Sequence, residues 1–295
     1  MPWELDYALL SFLQLSKAKY HLGIEDKVFV DVTLNLSTYL IDWEKSLLPK
    51  AFFKEKFEQL QVLLEGYDCR FFLYEGDKLY GGLDSQKVAT ESHIDYYMIM
   101  NPDTYFNEKA IYYLVESSKI IPNRYFIITQ EVPKLWDYSW DEISNKRFTD
   151  VAYDKWHELT LHECRYIVEQ QGEEVELEPT ASFKWAGWMD LYSKSMWEDF
   201  WTYHTDWEGY GACDLYTMVL ASQAKSRGID IQQYILRNQI VHPYWANSKL
   251  KGLHEYYKEN IYLREVPNQR QEFDKKMQNY LERGLDNIIN KSKSL

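Results

Sequence analysis

From Lys27 to Thr129 the chain alternates short β-branched runs with segments of helical period, a pattern that few folds accept. Lys27-Val-Phe-Val-Asp-Val reads as a strand from its β-branched content and alternation. From Pro49 to Glu65, Phe53, Phe57, Leu60 and Leu64 recur at helical spacing, with Pro49 near the start and Gly66 past the end. Cys69 to Glu75 is a second strand, and Gly76-Asp77 a turn. Ile94 to Met100 is a third, stopped by Asn101-Pro102. Asn107 can cap a helix to Lys119 that turns Ile111, Leu114 and Val115 inward, and Arg124 to Thr129 is a fourth strand. The expectation is an α/β fold: a mostly parallel sheet with helices on both faces. Ligands in such sheets bind beyond the carboxyl ends of the strands, so the loops after about residues 32, 75 and 100 are where chemistry is expected.

The flanks are less regular. Residues 4–20 read as a helix with Leu5, Leu9, Leu10, Phe12 and Leu13 on one stripe. Residues 136–210 are rich in Trp and acidic residues, without clear periodicity. Order returns with a helix around Leu215, Met218, Val219 and Ser222, ended by Gly228, and a strand-like run from Ile229 to His242. Residues 268–292 form an amphipathic helix with Phe273, Met277, Tyr280, Leu281, Leu285, Ile288 and Ile289 on one side. The expected organisation is an N-terminal helical segment (1–26), a domain over 27–245 with halves at 27–135 and 136–245, and a C-terminal helical extension (246–295). The last helix is expected to dock on the domain or on a second copy in a homo-oligomer. Its polar face is not predominantly basic, so peripheral membrane contact is the weaker expectation.

Composition narrows the function classes. Lys and Arg number 33 against 46 Asp and Glu, so the net charge is 33 − 46 = −13, and a chain this acidic lacks the basic face that nucleic-acid phosphates require. No apolar run approaches the ~20 residues of a membrane span, and Met1-Pro-Trp-Glu-Leu-Asp6 has no basic n-region. Cys69, Cys164 and Cys213 are too few and scattered for a disulfide framework or thiolate cluster, so a reducing, cytoplasmic setting is expected. Aromatic residues make up 17% of the chain, enough to supply both a core and a surface for stacking on sugar rings or bases.

The sharpest motif is Met98-Ile-Met-Asn-Pro-Asp-Thr-Tyr-Phe106. A hydrophobic strand delivers Asn101 and Asp103, two residues apart, to its carboxyl-end loop, where two oxygen-bearing side chains can face one hard cation and a diphosphate. The same residues also suit an Asn-Pro-Asp turn that closes a strand. His157 and His162 stand five apart, which turns them about 140° from one another on a helix, so residues 155–170 read as an ordinary amphipathic helix and not a zinc-binding one. No Gly-x-Gly-x-x-Gly fingerprint or P-loop occurs.

This stretch resembles the Asp-x-Asp region of GT-A-fold glycosyltransferases, in the Asn-Pro-Asp-Thr variant of family-2-like members. Val28-Phe-Val-Asp-Val-Thr-Leu-Asn-Leu36, with Tyr39-Leu and Glu44-Lys-Ser-Leu-Leu, looks like that family's first strand, nucleotide loop and first helix. Glu75-Gly-Asp77 falls at its acidic base-binding turn, and Lys87 near the Arg that faces the donor. Gly209-Tyr-Gly-Ala-Cys-Asp214 resembles the Gly-x-Gly-x-Glu-Asp region that supplies the acceptor-activating carboxylate, with Cys213 in place of the usual acidic residue. Ile240-Val-His242-Pro sits where a late His meets the metal. The resemblance covers residues 27–243 and rests on the order and spacing of short motifs.

The resemblance implies a metal-dependent glycosyltransferase of polysaccharide biosynthesis. It would take a UDP- or GDP-linked sugar as donor, Mn²⁺ or Mg²⁺ as cofactor and a glycan hydroxyl as acceptor. Asp103 and His242 would hold the metal; Thr33, Asn35, Asp77, Lys87 and Asn101 would bind the donor. Asp214 would act as the base of an inverting displacement, and Trp185, Trp188, Trp207 and Tyr210 would line the sugar cleft. Plainer roles stand beside these. Asp214 precedes a helix and suits an N-cap; His242 suits a turn before Pro243; the Trp cluster suits packing; Thr33, Asn35 and Asp77 suit polar loops. Two other function classes remain: a sugar nucleotidyltransferase, disfavoured by a loop at Thr33-Leu-Asn-Leu-Ser-Thr with neither Gly nor Arg, and a non-catalytic carbohydrate-binding or assembly protein.

Overall fold

The computed structural model describes residues 5–23, 27–36, 38, 41–76, 93–102, 104–132, 141–145, 161–169, 175–184, 189–201, 213–243 and 267–293. In chain order the elements are α1 (Leu5–Ala18), β1 (Phe29–Asn35), α2 (Lys50–Gln61, prolonged by a 3₁₀ turn over Val62–Leu64), β2 (Asp68–Tyr74), β3 (Tyr96–Met100), β4 (Thr104–Tyr105), α3 (Ala110–Ser118) and β5 (Tyr125–Glu131). There follow α4 (Leu161–Glu169), β6 (Glu176–Pro179), β7 (Met189–Ser193), the short turn α5 (Lys194–Met196) running into a π-helical turn (Trp197–Trp201), α6 (Cys213–Ser226), β8 (Ile231–Ile240), β9 (His242–Pro243) and α7 (Pro267–Lys293).

The strands form a five-stranded sheet in the order β3-β7-β5-β8-β6 and two ribbons, β1-β2 and β4-β9. β5 and β8 pair in parallel, as do β1 and β2, whereas β7 runs antiparallel to both β3 and β5, and β6 antiparallel to β8. β3, β5 and β8 therefore point one way and β6 and β7 the other. The fold is α/β, but its main sheet is mixed and not mostly parallel. Both reversed strands come from residues 136–210, where no periodicity announces them. β7 is buried at all five positions, so it shows no alternation of polar and apolar residues. β6 is a short edge strand, Glu-Leu-Glu-Pro, whose charges and proline suit an unpaired border.

One core joins α1, β1, α2 and α3 to one face of the main sheet through Phe12, Leu34, Phe57, Leu114 and Ile128. A second, on the other face, packs Tyr125 and Ile127 against Trp197, Phe200, α6 and α7. The sides are set by alternation along β5: Phe126 and Ile128 face the first core, Tyr125 and Ile127 the second. The buried stripe of α1 is Leu5, Ala8, Phe12, Leu15 and Ala18, while Leu9 and Leu13 face solvent at 40% and 38% exposure, so the helix is rolled relative to the stripe expected from its leucines. α6 stops at Gly228, whose φ of 84° is the left-handed conformation of a helix C-terminus. α7 docks on α6 of its own chain: Leu281, Leu285 and Ile288 enter the second core and the Tyr216 hydroxyl donates to the Tyr280 carbonyl at 2.9 Å.

Candidate functional site at the carboxyl edge of the sheet

β3, β5 and β8 end on the same edge of the main sheet, and the chain leaving two of them is tied together there. β3 runs out through Asn101-Pro102 into β4, β8 into β9, and β4 and β9 pair antiparallel with Thr104 opposite Pro243 and Tyr105 opposite His242. The Val241 N–H also donates to the Glu131 carbonyl at the end of β5, at 2.9 Å. Asn101 stands at the mouth of this edge, half-buried, and its carbonyl accepts the Thr104 N–H at 3.1 Å to close a tight turn. Residues adjoining the two expected metal ligands are thereby neighbours, although they lie in opposite halves of the sequence. The Asp103 residue and the His242 side chain themselves lie outside the described residues. Among the described residues no group of three or more His, Cys, Asp or Glu could hold a metal ion. The expected ligands, a carboxylate and an imidazole, are chemically suited to Mn²⁺ or Mg²⁺.

The nucleotide-side residues divide similarly. Thr33 and Asn35 are the third-last and last residues of β1, on the face they share with Asp31. Asp31 meets Arg70 of β2 in a two-pronged ion pair, both contacts 2.7 Å. Beyond the strands, the loops stay zipped: the Leu36 N–H donates to the Tyr74 carbonyl at 2.7 Å, and the Thr38 N–H to the Gly76 carbonyl at 3.1 Å. Glu75 is clasped by Lys54 and Lys50 of α2 at 2.7 and 3.3 Å, and the Lys54 ammonium, with Lys50 behind it, holds its carboxyl below the ordinary range. Asp77 and Lys87 lie outside the described residues, as do Trp185, Trp188, Trp207 and Tyr210. Asp214 is the second residue of α6, a first-turn position where the helix dipole favours a carboxylate; its side chain is outside the described set.

Three groups of buried polar residues escape a local reading of the sequence. At the end of β5, Glu131 accepts from Arg237 at 3.0 Å, from Asn145 at 2.6 Å and from the Asn238 N–H at 3.0 Å, while Arg237 also reaches Glu178 at 2.7 Å. These bonds hold a bulge in β8, where Asn238 takes a φ of 62°. Beside it the buried carboxamide of Gln130 and the carbonyl oxygen of the Gln239 side chain have no hydrogen-bond partner among the described residues. On the second-core face, Gln233 donates to Thr129 at 2.7 Å, and Thr129 donates to Asp190 at 3.0 Å. Burial pushes the Asp190 carboxyl up to about 7, against the opposing hydrogen bonds from Thr129 and Tyr192. The Gln233 carboxamide also grips both polar groups of the Lys184 peptide, accepting its N–H and donating to its carbonyl at 2.6 Å each. The only local hint is an Asp and two Gln set inside hydrophobic runs. The third group is Ser11 and Gln14, buried on α1.

No protein-family model matches the chain, and a comparison with curated proteins returns no significant relative. Among the described residues, no helix is long and apolar enough to cross a membrane.

Proposed function

We propose that this chain is a metal-dependent glycosyltransferase of GT-A-like architecture, moving a sugar from a UDP- or GDP-linked donor to a hydroxyl of a glycan acceptor. The observation that carries the reading is the β4–β9 ribbon. It brings the loop that begins at Asn101 alongside the chain at His242, at the carboxyl edge where open α/β sheets bind ligands. Asp103 and His242 would hold Mn²⁺ or Mg²⁺, with Asn101 beside them on the donor; the metal when bound offsets the charge that grows on a departing diphosphate.

The chain's own residues supply the rest. Thr33 and Asn35, at the end of β1, would bind the nucleotide together with Asp77 and Lys87, and the backbone bonds from Leu36 to Tyr74 and from Thr38 to Gly76 hold the ends of the first two strands together. Asp214 takes the proton from the acceptor hydroxyl while that oxygen bonds to the anomeric carbon and the carbon–oxygen bond to the diphosphate breaks, a displacement that inverts the centre. Asp214 stands in the first turn of α6, where the helix dipole favours a negative charge. Trp185, Trp188, Trp207 and Tyr210 would close the sugar cleft. The grip of Gln233 on Lys184 anchors the chain directly before Trp185.

Thermal unfolding of the full chain with UDP, GDP and their sugars, with and without Mn²⁺, tests the reading. Stabilisation by one nucleotide class that requires Mn²⁺ is expected, of about 2.7 kcal/mol when ligand stands at a hundred times its Kd. Asp103→Ala should abolish it without lowering the basal Tm. Stabilisation by glycans alone, or a response that survives in Asp103→Ala, would overturn the assignment.

A further inference from the structure

The loop after β3 is held from an unexpected direction. Ser11 and Gln14 of α1 stand three residues apart on one side of the helix, and both are buried, at 0% and 5% exposure. The Ser11 hydroxyl lies 2.7 Å from the Pro102 carbonyl and 2.5 Å from the Thr104 carbonyl. The Gln14 carboxamide N–H donates to the Phe106 carbonyl at 2.7 Å. A hydroxyl carries one proton, so Ser11 shares it between carbonyls immediately before and after Asp103. Serine within a helix ordinarily satisfies its hydroxyl on its own helix, four residues back. Here it serves a loop about ninety residues away in sequence. Each of these bonds ends on a backbone oxygen, so the contact fixes the position of the chain.

We propose that Ser11 and Gln14 are positioning residues for the cation-and-diphosphate loop, setting the backbone on both sides of Asp103 before any ligand arrives. The inference rests on the glycosyltransferase reading above and deepens it. Two further contacts hold α1 itself in place. The Tyr67 hydroxyl donates to the Leu15 carbonyl at 2.5 Å, and the Lys19 ammonium to the Glu65 carbonyl at 2.9 Å. The helix is thus a fixed post and the loop is strung from it. A loop ordered in advance spends less of its binding energy on being immobilised, so loss of the post appears as weaker binding.

The test is calorimetric titration of Mn²⁺ plus UDP, and of Mn²⁺ plus GDP, into the full chain, with Tm measured alongside. Ser11→Ala should weaken binding about fivefold, the scale of one net hydrogen bond. Ser11→Thr, which restores the hydroxyl, should bind nearly as the parental chain does. Gln14→Met should weaken binding likewise and serves if the Ser11 variants fold poorly. A control of matched Tm loss, Leu281→Ala in the second core, should leave affinity unchanged. Affinity within twofold of parental in both Ser11→Ala and Gln14→Met, or equal weakening in the Leu281 control, overturns the positioning role while leaving the functional reading intact. If the parental chain binds neither diphosphate with Mn²⁺, the functional reading falls and takes the positioning role with it.

Discussion

Replacing Asp190 with Asn should stabilise the protein above neutral pH and change little near pH 4 and below. The folded carboxyl titrates at about 7 because it is buried between β3 and β5, against an ordinary value near 4 in an unfolded chain. Below about pH 4 both states carry the proton and the group contributes nothing. Between about pH 4 and 7 the unfolded chain has lost its proton and the folded chain retains it, so stability falls as pH rises. Above about pH 7 the full penalty is present: about three pKa units at about 1.36 kcal/mol each, or roughly 4 kcal/mol. Asn cannot ionise, and its carbonyl oxygen still accepts from the Thr129 hydroxyl. Urea unfolding of both proteins at several pH values between about 4 and 8 reads this directly, provided the slope with denaturant is unchanged. The difference should grow from near zero to a few kcal/mol. A difference that stays flat across that range would show that Asp190 is not a buried, proton-holding acid, and the reasoning from its burial would fail.

Other changes probe separate parts of the fold. Asp214→Asn should leave donor binding intact and slow turnover by ~10²-fold or more, the usual contribution of a general base, as read by kcat against the donor's Kd; equal turnover would remove Asp214 from the chemistry. Gly284→Ala should destabilise, because its new methyl would stand 2.7 Å from the Tyr216 hydroxyl oxygen and 3.1 Å from Leu220. Overpacking of about 1–3 kcal/mol outweighs the ~1 kcal/mol that Ala gains in a helix, and adding Tyr216→Phe should recover part of the loss in chemical unfolding.

How much of this was legible in the sequence follows from where each residue finds its partners. α2 and α3 were readable because their burial repeats with the helical period, β5 because its run is rich in aromatic and β-branched residues although it is buried at all seven positions, and the end of α6 because Gly228 marks it. β7 was not. A strand buried on both faces carries no alternation, and its polar residues, Asp190 and Ser193, look like surface residues until Thr129 and the Arg124 carbonyl are placed beside them. Missing β6 and β7 is what made the sheet look mostly parallel. In α1 the same cause rolled the helix: Leu5, Leu9, Leu10, Phe12 and Leu13 suggest one face, but Ser11 and Gln14 need inward positions because their acceptors sit on a loop far down the chain, and this leaves Leu9 and Leu13 outside. The candidate site follows the same division. The position of Asn101 directly after β3 is legible because that strand's hydrophobic run is local, whereas the approach of His242 to Tyr105 is a long-range pairing that no window of sequence contains. Buried polar groups cost stability unless each finds a partner, so those that satisfy distant backbone mark places where the fold holds a loop still. In this chain two of them converge on the one loop for which the motif at Asn101 and Asp103 demands fixed geometry.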